Sequence, residues 1–587
     1  MVSTHRVIIA LAAGLLACTP GCQDKWNWFG KDAQAGKDAP DAADTETGDE
    51  AAPSAAFRDT IAQQVWIEGL RRMRVVGYGL VVGLGTGGSA DCPRDVRSRL
   101  LHELHRRPEF HRAGSPTNPI TPEMMIDDPD TAMVMVEGEI PAGAVAGSDF
   151  DVSVAALPGT QTTSLRGGWL YACDLSVYRM LTETAGVTGK RLARAQGPVL
   201  LNPFSDRPDA ATRSSERNGR IVGGGIVATD RRIRLVLFRP SYSRARAIAT
   251  RINARFGTSG KIADPTSPSF IQLTVPDRYA RDPKRFIALV QHLYLRPQAG
   301  FSDLRTRQLA EEMVEPDAPY EDIAWAWEGI GRTVLPTISK LYSHEGRAVG
   351  YYAALAGLRL GDDVAIEVVA EQARDARSPY RFDAIAALGR AYNLPRAARP
   401  LRALLSDADP AVRVAAYEAL IRRGDPEIAT RRIGRDNFAL DLVPSTAANL
   451  IYVKRSESRR MAVFGSGVRC QPPLFYRHPS GEVTVSAYEE DSGVTVLHKD
   501  RRSGRAAPAR QVSFDLVELV ELLGSNPPRH GEDPSQGLGI DYGTVIQLLY
   551  ELCDMRAINA RFVLERPSVG EVFGPLRPEG RPESELE

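Results

Sequence analysis

The stretch VVGYGLVVGLGTGGSAD, which spans residues 75–91, carries glycines at the spacing of a nucleotide-binding loop. Gly83, Gly85 and Gly88 spell G-x-G-x-x-G directly after an apolar run that predicts a β-strand. In dinucleotide-binding folds such a loop holds the pyrophosphate, because the glycines let the backbone come close and the next helix begins there. The pattern therefore makes nicotinamide or flavin chemistry the first hypothesis.

The surrounding sequence does not supply the rest of that fingerprint. The helix should begin at the last glycine, but the sequence predicts its start near Pro93, where Asp91 could act as the N-cap. An acidic residue should end a second strand about twenty positions further on. Glu109 lies near that distance, but in a segment that predicts a loop. We therefore interpret the glycines as a tight turn and assign no cofactor-binding residue.

Two other groups of polar side chains are candidates for chemistry. His102, His105 and His111 lie on and after an Arg-rich helix, and the first two could share a face and hold a metal. Glu137 and Glu139 alternate on a predicted strand, so they share a face as an acid/base pair would. An exposed helix and a solvated strand face account for both groups more simply, and we assign no metal ligand from them.

A third group lies in the C-terminal part of the chain. Tyr476, His478 and His498 could serve an enzyme site there, although their spacing does not require one. The sequence has no G-x-S-x-G, H-E-x-x-H or G-x-x-x-x-G-K-[ST] motif. The four cysteines beyond the N-terminus are scattered, without the spacing of zinc ligands. We expect a non-enzymatic protein with no catalytic residues, metal or cofactor.

The first residues have the layout of an export signal. A basic start, MVSTHR, precedes the apolar run Val7–Ala17, which is too short to span a bilayer easily. The sequence LLAC that ends at Cys18 resembles the lipobox of bacterial lipoproteins, a family in which this cysteine becomes the lipidated first residue. Cys18 is the predicted lipidation site and Cys22 the alternative. An ordinary cleaved signal peptide, with incidental cysteines, is the other interpretation.

This layout predicts a signal peptide over residues 1–17 and a lipid anchor with a disordered tether over 18–56. The tether is rich in Ala, Asp, Glu, Gly and Pro and cannot bury much apolar surface. No other stretch is long and apolar enough to cross a membrane. The predicted location is the periplasm, with the lipid held in the envelope, in the outer membrane.

The composition bounds the class of protein. The chain has 587 residues, enough for about three or four domains. It is 43% hydrophobic and 25% charged, as globular proteins are. Lys+Arg and Asp+Glu both number 73, so nothing in the net charge favours a nucleic-acid partner.

The pattern of apolar residues predicts an α+β multidomain protein. Residues 57–297 mix strands and helices, including a helix that Ser241 or Ser243 would cap and Gly257 would end. Residues 436–575 mix strands and helices again, without a motif that we recognise. The tail, residues 576–587, is expected to be disordered.

Residues 301–430, between these regions, are predicted to be almost entirely helical. Arg381 and Leu388 recur thirty-two residues later as Arg413 and Leu420. The segment 406–426 resembles a HEAT repeat, with an Asp-Pro turn before a helix of small residues. The resemblance implies stacked helix pairs, an α-solenoid that contacts other proteins. A plain helical bundle is the alternative.

The region 57–297 resembles the flagellar P-ring protein family. The resemblance rests on five blocks in the family's order and spacing: IEGLR with VGYGLVVGL (67–84), two strands and a proline turn (131–157), SLRGGWL (164–170), AQGP (195–198) and a helix end (247–257). The family has a short Gly/Thr turn after the first block, as residues 85–87 do here. The glycines of the opening motif thus resemble a structural turn of that family.

The resemblance implies an exported protein that assembles into a ring around the flagellar rod and has no catalytic residues. The lipobox departs from the family, and so do the helical and C-terminal regions, which stand where the family has its own C-terminal segment. The leading hypothesis is a structural, non-enzymatic envelope lipoprotein that forms a homo-oligomeric ring in motility. The alternative is a lipid-anchored scaffold or adaptor that binds envelope proteins through the HEAT-like repeats and has no part in motility.

Overall fold

The computed structural model describes residues 55–107, 110, 121–177, 190–201, 216–257, 260–280, 282–295, 300–435, 437–479, 481–490, 492–499, 506–527 and 537–565. The predicted signal peptide, Cys18, Cys22, the predicted tether up to residue 54 and the tail at 576–587 lie outside these ranges. The segment Ser54–Glu587 is one compact unit. Within the described ranges, every helix is too short or too polar to span a bilayer.

The N-terminal region mixes strands and helices, as the sequence predicts. Its elements, in chain order, are β1 Val65–Glu68, β2 Met73–Val82, α1 Arg94–His105, α2 Pro122–Ile126, β3 Thr131–Ile140, β4 Asp149–Ala156, β5 Trp169–Val177, β6 Arg191–Pro198, β7 Asn218–Val227, β8 Ile233–Leu237, α3 Tyr242–Phe256, β9 Ala263–Asp264, β10 Phe270–Leu273 and α4 Pro283–Gln291. They build a six-stranded barrel and a separate four-stranded sheet.

The barrel is closed and antiparallel, with the strand order β2-β3-β4-β7-β6-β5. Strand β5 pairs back onto β2, so none of the six strands is an edge. Successive side chains of a strand point to opposite faces. In β4, Phe150, Val152 and Val154 are buried in the barrel core, whereas Asp149 and Ser153 are exposed.

Two glycines of β2 allow the barrel to close. A Cβ atom on Gly77 would lie 2.4 Å from the carbonyl oxygen of Asp174 in β5. A Cβ atom on Gly79 would lie 2.8 Å from a methyl group of Leu170 in the same strand. Both distances are too short for a carbon atom. At Gly77 the obstacle is backbone, so β5 can approach β2 there only because the residue lacks a side chain, whereas at Gly79 the Leu170 side chain would have to shift. The register between the two strands also shifts within this stretch.

The four-stranded sheet has the order β1-β8-β10-β9, and all its strands are antiparallel. Helices α3 and α4 share a core with one of its faces, where Leu235 and Ile271 are fully buried. Helix α3 begins as predicted, because the hydroxyl of Ser241 accepts the N–H of Arg244 at 3.4 Å. It ends at Gly257, also as predicted.

The middle region is helical, which confirms the prediction. Its helices are α5 Phe301–Met313, α6 Tyr320–Ile330, α7 Leu335–Ile338, α8 Arg347–Leu360, α9 Val364–Arg374, α10 Arg381–Arg390, α11 Ala398–Leu404 and α12 Pro410–Arg423. The Asp-Pro pair opens α12, since the Asp409 carboxylate accepts the N–H of Ala411 at 2.9 Å. Small residues bring helices close together. A Cβ on Gly389 of α10 would lie 2.8 Å from the Cβ of Ala419 in α12.

The C-terminal region is mixed, again as predicted. It comprises β11 Ala429–Ile433, β12 Phe438–Val443, β13 Leu450–Val453, β14 Arg460–Phe464, β15 Leu474–Arg477, β16 Val483–Ala487, β17 Val494–His498, β18 Arg510–Val512, α13 Leu516–Gly524, α14 Tyr542–Asp554 and β19 Arg561–Leu564. A five-stranded sheet has the order β11-β12-β14-β13-β19, and a four-stranded meander runs from β15 to β18. The observed fold class is therefore α+β, with a helical middle region.

The five-stranded sheet is covered on both faces. Tyr452 and Phe464 belong to the core of the helical region, whereas Ile451 and Val463, the next residues along each strand, belong to the core around α13 and α14. A strand that is buried on both faces carries an unbroken apolar run, which explains the sequence LIYV of β13. The helical and C-terminal regions thus share one hydrophobic core.

The buried carboxylate of Asp441 in β12 joins the same two regions. It accepts hydrogen bonds from the hydroxyls of Tyr417 in α12 and Thr430 in β11, both at 2.5 Å. Arg460 of β14 pairs with both carboxylate oxygens, at 2.5 and 2.7 Å. A fully buried charge is tolerated only when it is paired and hydrogen-bonded in this way, so each partner helps to fix α12 against the sheet.

Two further polar contacts join distant parts of the chain. In the N-terminal region, Arg285 of α4 forms an ion pair with the buried carboxylate of Glu328 in α6, to which Arg285 Nε donates at 3.1 Å. The backbone N–H of Glu457, in the loop before β14, donates to both oxygens of Asp151 in β4, at 3.0 and 3.1 Å. The barrel therefore contacts the C-terminal region directly.

Gly77→Ala should lower the free energy of unfolding by about 3 kcal/mol, because the new methyl group would overlap the carbonyl oxygen of Asp174 and push β5 away from β2. Gly467→Ala is the matched control. A Cβ atom there meets no atom within 4 Å, so the change should stay below about 0.5 kcal/mol. Urea unfolding followed by circular dichroism measures both. Equal stability of the two variants would contradict the role given to Gly77.

Candidate assembly surface

The G-x-G-x-x-G motif forms a turn whose backbone N–H groups donate hydrogen bonds to a residue of the same chain. Gly83 and Gly85 have positive φ angles of 82° and 58°, a conformation that favours glycine. The carboxylate of Asp130 accepts the N–H of Gly85, and its carbonyl oxygen accepts the N–H of Leu84 at 3.0 Å. In a dinucleotide site such N–H groups would donate to the phosphates of the cofactor. In this structure they donate to Asp130, just before β3.

The last glycine of the motif is also packed against this segment. A Cβ on Gly88 would lie 2.5 Å from the carbonyl oxygen of Pro129 and 2.6 Å from that of Thr131. Helix α1 begins only at Arg94, so its N-terminus does not adjoin the glycines. The prediction that Asp91 caps this helix is wrong, because its carboxylate instead accepts the N–H of Gln161 at 2.9 Å. The geometry is that of a structural turn.

The histidines of α1 lie on its surface. His102 is exposed, and His105 places Nδ1 2.8 Å from the carbonyl oxygen of Leu101 and Nε2 3.3 Å from the carboxylate of Glu123. Both Glu109 and His111 lie outside the described residues. In the part of the chain that the structure describes, no group of three or more His, Cys, Asp or Glu side chains is arranged to hold a metal.

Glu137 and Glu139 form ion pairs on the outside of the barrel. Arg74 of β2 donates to the Glu137 carboxylate at 2.8 Å, and Arg72 donates to that of Glu139 at 3.4 Å. The Glu139 and Arg72 side chains are more than half exposed. Charged pairs between neighbouring strands stabilise a sheet modestly, and this arrangement matches the solvated strand face that we preferred.

The third candidate group lies in the four-stranded meander and is divided between its strands. The rings of Tyr476 and His478, on and just after β15, are 6.5 Å apart, and His478 Nε2 lies 2.9 Å from Oε1 of Gln547 in α14. His498 is on β17, which is separated from β15 by β16. The nearby cavity, which Gln547 lines, has about 10 Å³, room for a single water molecule rather than a substrate.

The described cysteines are free thiols: Cys92, Cys173, Cys470 and Cys553. Cys173 and Cys470 are buried. Burial raises the pKa of the Cys470 and Cys553 thiols to about 12, so both remain protonated near neutral pH and are poor nucleophiles. Their chemistry fits packing rather than catalysis.

A partly exposed apolar surface lies on the face of the four-stranded sheet away from α3 and α4. Trp66, Val236 and Phe270 stand opposite one another on β1, β8 and β10. Phe238 continues the alternation of β8 beyond its end, and its N–H donates to the carbonyl oxygen of Gln64 at 3.1 Å. We call these four apolar residues, 66, 236, 238 and 270, the open sheet face.

Two aromatic residues of the open sheet face are largely accessible to solvent. The side chain of Trp66 is 49% exposed and that of Phe238 is 59% exposed. The next row of the sheet is charged: Arg234 lies 3.5 Å from the carboxylate of Glu68 and 5.1 Å from the centre of the Phe270 ring. An apolar patch with a polar rim is typical of a surface that contacts another protein.

Strand β1 adds a free edge to this face. Among the described strands β1 pairs only with β8, so one side of Val65–Glu68 presents unpaired backbone groups. The sequence did not predict this surface. One local signal is present: Trp66 lies between the buried Val65 and the partly buried Ile67, so its side chain points to the opposite face of the sheet. This alternation does not show whether the opposite face has a covering layer.

Comparison with known proteins identifies the two families that the sequence resembles. Residues 60–301 match the family model described as flagellar P-ring protein, and residues 369–431 match the model described as HEAT repeats. The flagellar P-ring protein of Rhodopseudomonas palustris (strain HaA2) is 31% identical over 242 residues, which are 39% of this chain and 59% of that protein. Its counterpart in Nitrobacter winogradskyi is 32% identical over 242 residues, with the same two shares.

The flagellar P-ring protein of Geobacter metallireducens is 32% identical over 260 residues, 42% of this chain and 64% of that protein. The chain thus spans about three fifths of the length of the curated relatives that it matches. Both resemblances inferred from the sequence are confirmed. The barrel and the open sheet face lie within the segment that matches the P-ring family.

His478 gives a testable pH dependence. Burial lowers the pKa of His478 below its ordinary value, and the hydrogen bond with Gln547 offsets only part of this effect. His478 in the unfolded chain therefore binds a proton at a higher pH than it does in the folded chain. As the pH drops from the pKa of His478 in the unfolded chain toward its pKa in the folded chain, the free energy of unfolding falls. His478→Gln should lose less thermal stability than wild type between about pH 7.5 and about pH 5.5.

The melting temperature at the two pH values measures this difference. His102→Gln is the matched control, because the ring is exposed, and it should behave as wild type does. An identical loss of melting temperature in wild type and His478→Gln would contradict the prediction.

Proposed function

We propose that this chain is a structural, non-enzymatic protein of the bacterial cell envelope whose first region assembles with further copies into a ring around the flagellar rod. The observation that carries the proposal is the match of residues 60–301 to the flagellar P-ring family. The relatives named as P-ring proteins are about one third identical over that segment. The role in motility is inferred from the resemblance to this family.

The open sheet face supports assembly within the same segment. Ring growth needs a heterologous contact, in which one surface of a copy binds a different surface of the next copy. The open sheet face supplies apolar area for such a contact, and the edge of β1 supplies backbone donors and acceptors. In this proposal Trp66 and Phe238 are the aromatic anchors, and the ion pair of Glu68 with Arg234 lies at the rim.

The proposed location is the periplasm, with a lipid on Cys18, or alternatively on Cys22, anchoring the chain to the outer membrane. The support is the apolar run Val7–Ala17 followed by the lipobox-like sequence. Residues 18–56 would then serve as the tether between the lipid and the first folded region. The partners in this proposal are copies of the chain, the flagellar rod and the membrane, without nucleic acid.

A second function is favoured by a different observation, the helical middle region. Residues 369–431 match HEAT repeats, which stack helices into surfaces suited to protein contacts. In this alternative the chain is a lipid-anchored scaffold or adaptor of the envelope. The P-ring-like barrel would then be a reused fold, and the protein would have no part in motility.

Deletion of the gene tests the two functions. A ring around the rod predicts loss of swimming in soft agar and, in electron micrographs of extracted basal bodies, loss of one ring. Complementation with Trp66→Arg/Phe238→Arg should fail to restore the ring, because two guanidinium groups would have to be desolvated in the contact. We expect swimming to fall to that of the deletion strain.

Phe475→Arg is the matched control, because its side chain is 66% exposed but lies in the C-terminal region. It should restore swimming and the ring. Circular dichroism and immunoblotting check that all variants fold and accumulate equally. Normal swimming of the deletion strain would favour the scaffold, and restoration by the double variant would exclude the open sheet face as the contact.

Replacement of the lipidated cysteine tests the anchor. Cys18→Ser should move the protein from the membrane fraction to the soluble fraction and abolish labelling by a palmitate analogue, because a serine cannot form the thioether. Cys22→Ser is the matched control and should remain in the membrane fraction. Release by Cys22→Ser alone would move the anchor to that residue, and retention of the Cys18→Ser/Cys22→Ser variant would exclude lipidation at both.

A further inference from the structure

Four tyrosines of the helical region form one aromatic group, which we call the tyrosine cluster: Tyr320, Tyr351, Tyr352 and Tyr380. Tyr351 stacks on Tyr380 with ring centres 4.4 Å apart, and Tyr320 lies parallel to Tyr352 at 5.8 Å. Edge contacts of 5.2 and 5.6 Å join Tyr352 to the other two rings. The cluster thus runs across α6, α8 and the start of α10.

The cluster lies at the edge of the core of the helical region, where Tyr320, Tyr352 and Tyr380 pack against it. Tyr351 is buried, but the other three rings are only partly buried. Among the described residues no hydrogen bond is formed by any of the four hydroxyl groups. Elsewhere in the helical region a tyrosine hydroxyl does have a partner, since that of Tyr342 donates to Asp362 at 2.8 Å. Tyrosines that combine ring packing with unused hydroxyls are typical of contact surfaces.

Two carboxylates border the cluster. Glu321 follows Tyr320 at the start of α6, and Asp383 lies in the first turn of α10. Glu321 is the direct neighbour of Tyr320, and Asp383 follows Tyr380 by three residues, one turn further along the chain. Burial raises the pKa of Tyr352, and the negative charges of Glu321 and Asp383 raise it further, whereas the positive charge of Arg359 lowers it. Both side chains are exposed, and neither forms an ion pair or hydrogen bond with a described residue.

Other carboxylates of the helical region do form ion pairs. Asp375, between α9 and α10, pairs with Arg347, and Asp407, before α12, pairs with Arg381 at 2.6 Å. Glu321 and Asp383 are thus exposed carboxylates outside any described ion pair, although the positive charge of Arg359 acts on Glu321 over a longer distance. A cation is the complementary partner for this combination of negative charge and aromatic faces.

The same two helices show the contact between a cation and an aromatic ring. Arg359 of α8 lies 3.6 Å from the centre of the Trp325 ring of α6. Trp325 lies on the helix that carries Tyr320, and Arg359 on the helix that carries Tyr352. Helices α6 and α8 therefore already pack one guanidinium group of this chain against an aromatic face.

We propose that the tyrosine cluster, together with Glu321 and Asp383, binds lysine or arginine side chains of a basic segment in a partner protein. The cation would be held between a carboxylate and the face of a partly exposed ring. The site lies outside residues 60–301, so it is independent of the proposed ring contact. The proposal names the kind of ligand that the helical region binds, which neither of the two proposed functions specifies.

The probe is a fluorescein-labelled peptide with six arginines separated by glycines, and hexaglutamate is the negative control. Fluorescence anisotropy with the purified full chain measures the dissociation constant. Glu321→Gln/Asp383→Asn should weaken binding of the basic peptide at least tenfold, because both negative charges are lost. Circular dichroism checks that the variant is folded.

The matched control is Glu311→Gln/Glu371→Gln, which changes two exposed carboxylates of the same region and gives the same change of net charge. It should weaken binding less than twofold. Equal weakening by both double variants would show that the peptide responds only to net charge, and would overturn the proposal. Unchanged binding in Glu321→Gln/Asp383→Asn, or no binding by wild type, would overturn it as well.

Substitution of an aromatic ring separates cation–π binding from attraction by the carboxylates alone. Tyr320→Leu should weaken binding about fivefold, whereas Tyr320→Phe, which keeps the ring, should stay within about twofold of wild type. Melting temperatures of both variants show whether the fold is retained. Wild-type affinity of a folded Tyr320→Leu variant would exclude the ring from the site and overturn the proposal.

Discussion

The N-terminal region depends on one close approach between two backbones. The carbonyl oxygen of Asp174 occupies the space in which a side chain on Gly77 would begin, and this contact brings β5 against β2. Because that pairing closes the barrel, it also fixes the direction in which the chain leaves β2 into the glycine turn. The glycines of residues 75–91 thus serve two backbone requirements: Gly77 allows close packing within the strand, and Gly83 and Gly85 adopt positive φ angles after it.

Specific contacts also join the helical region to the C-terminal region. The ring of Tyr417 in α12 lies 5.7 Å from that of Phe464 in β14, so the last helix of the middle region packs on the five-stranded sheet. Its hydroxyl also donates to the buried carboxylate of Asp441. A polar network of this kind is stable only when every member has a partner, and it therefore favours one relative position of helix and sheet.

Local signals of the sequence predicted much of the fold. The strands on either side of the proline turn are β3 and β4, the Ser241 cap begins α3, and the Asp-Pro pair begins α12. Contacts between distant residues could not be predicted in this way, because periodicity shows which face is buried but not what covers it. The open sheet face and the tyrosine cluster, which joins residues 320 and 380 through Tyr352, belong to this second class.

The contact between Asp151 and Glu457 has a mechanical consequence. It joins two points that are 306 residues apart along the chain, so the segment between them forms a loop closed by hydrogen bonds. Leu200 and Val222 of the barrel region also pack in the core around α13 and α14. A pulling force applied between the barrel and the C-terminal sheet is therefore shared by these non-covalent contacts, in parallel with the covalent chain, and the segment between them carries the full tension only after they have broken.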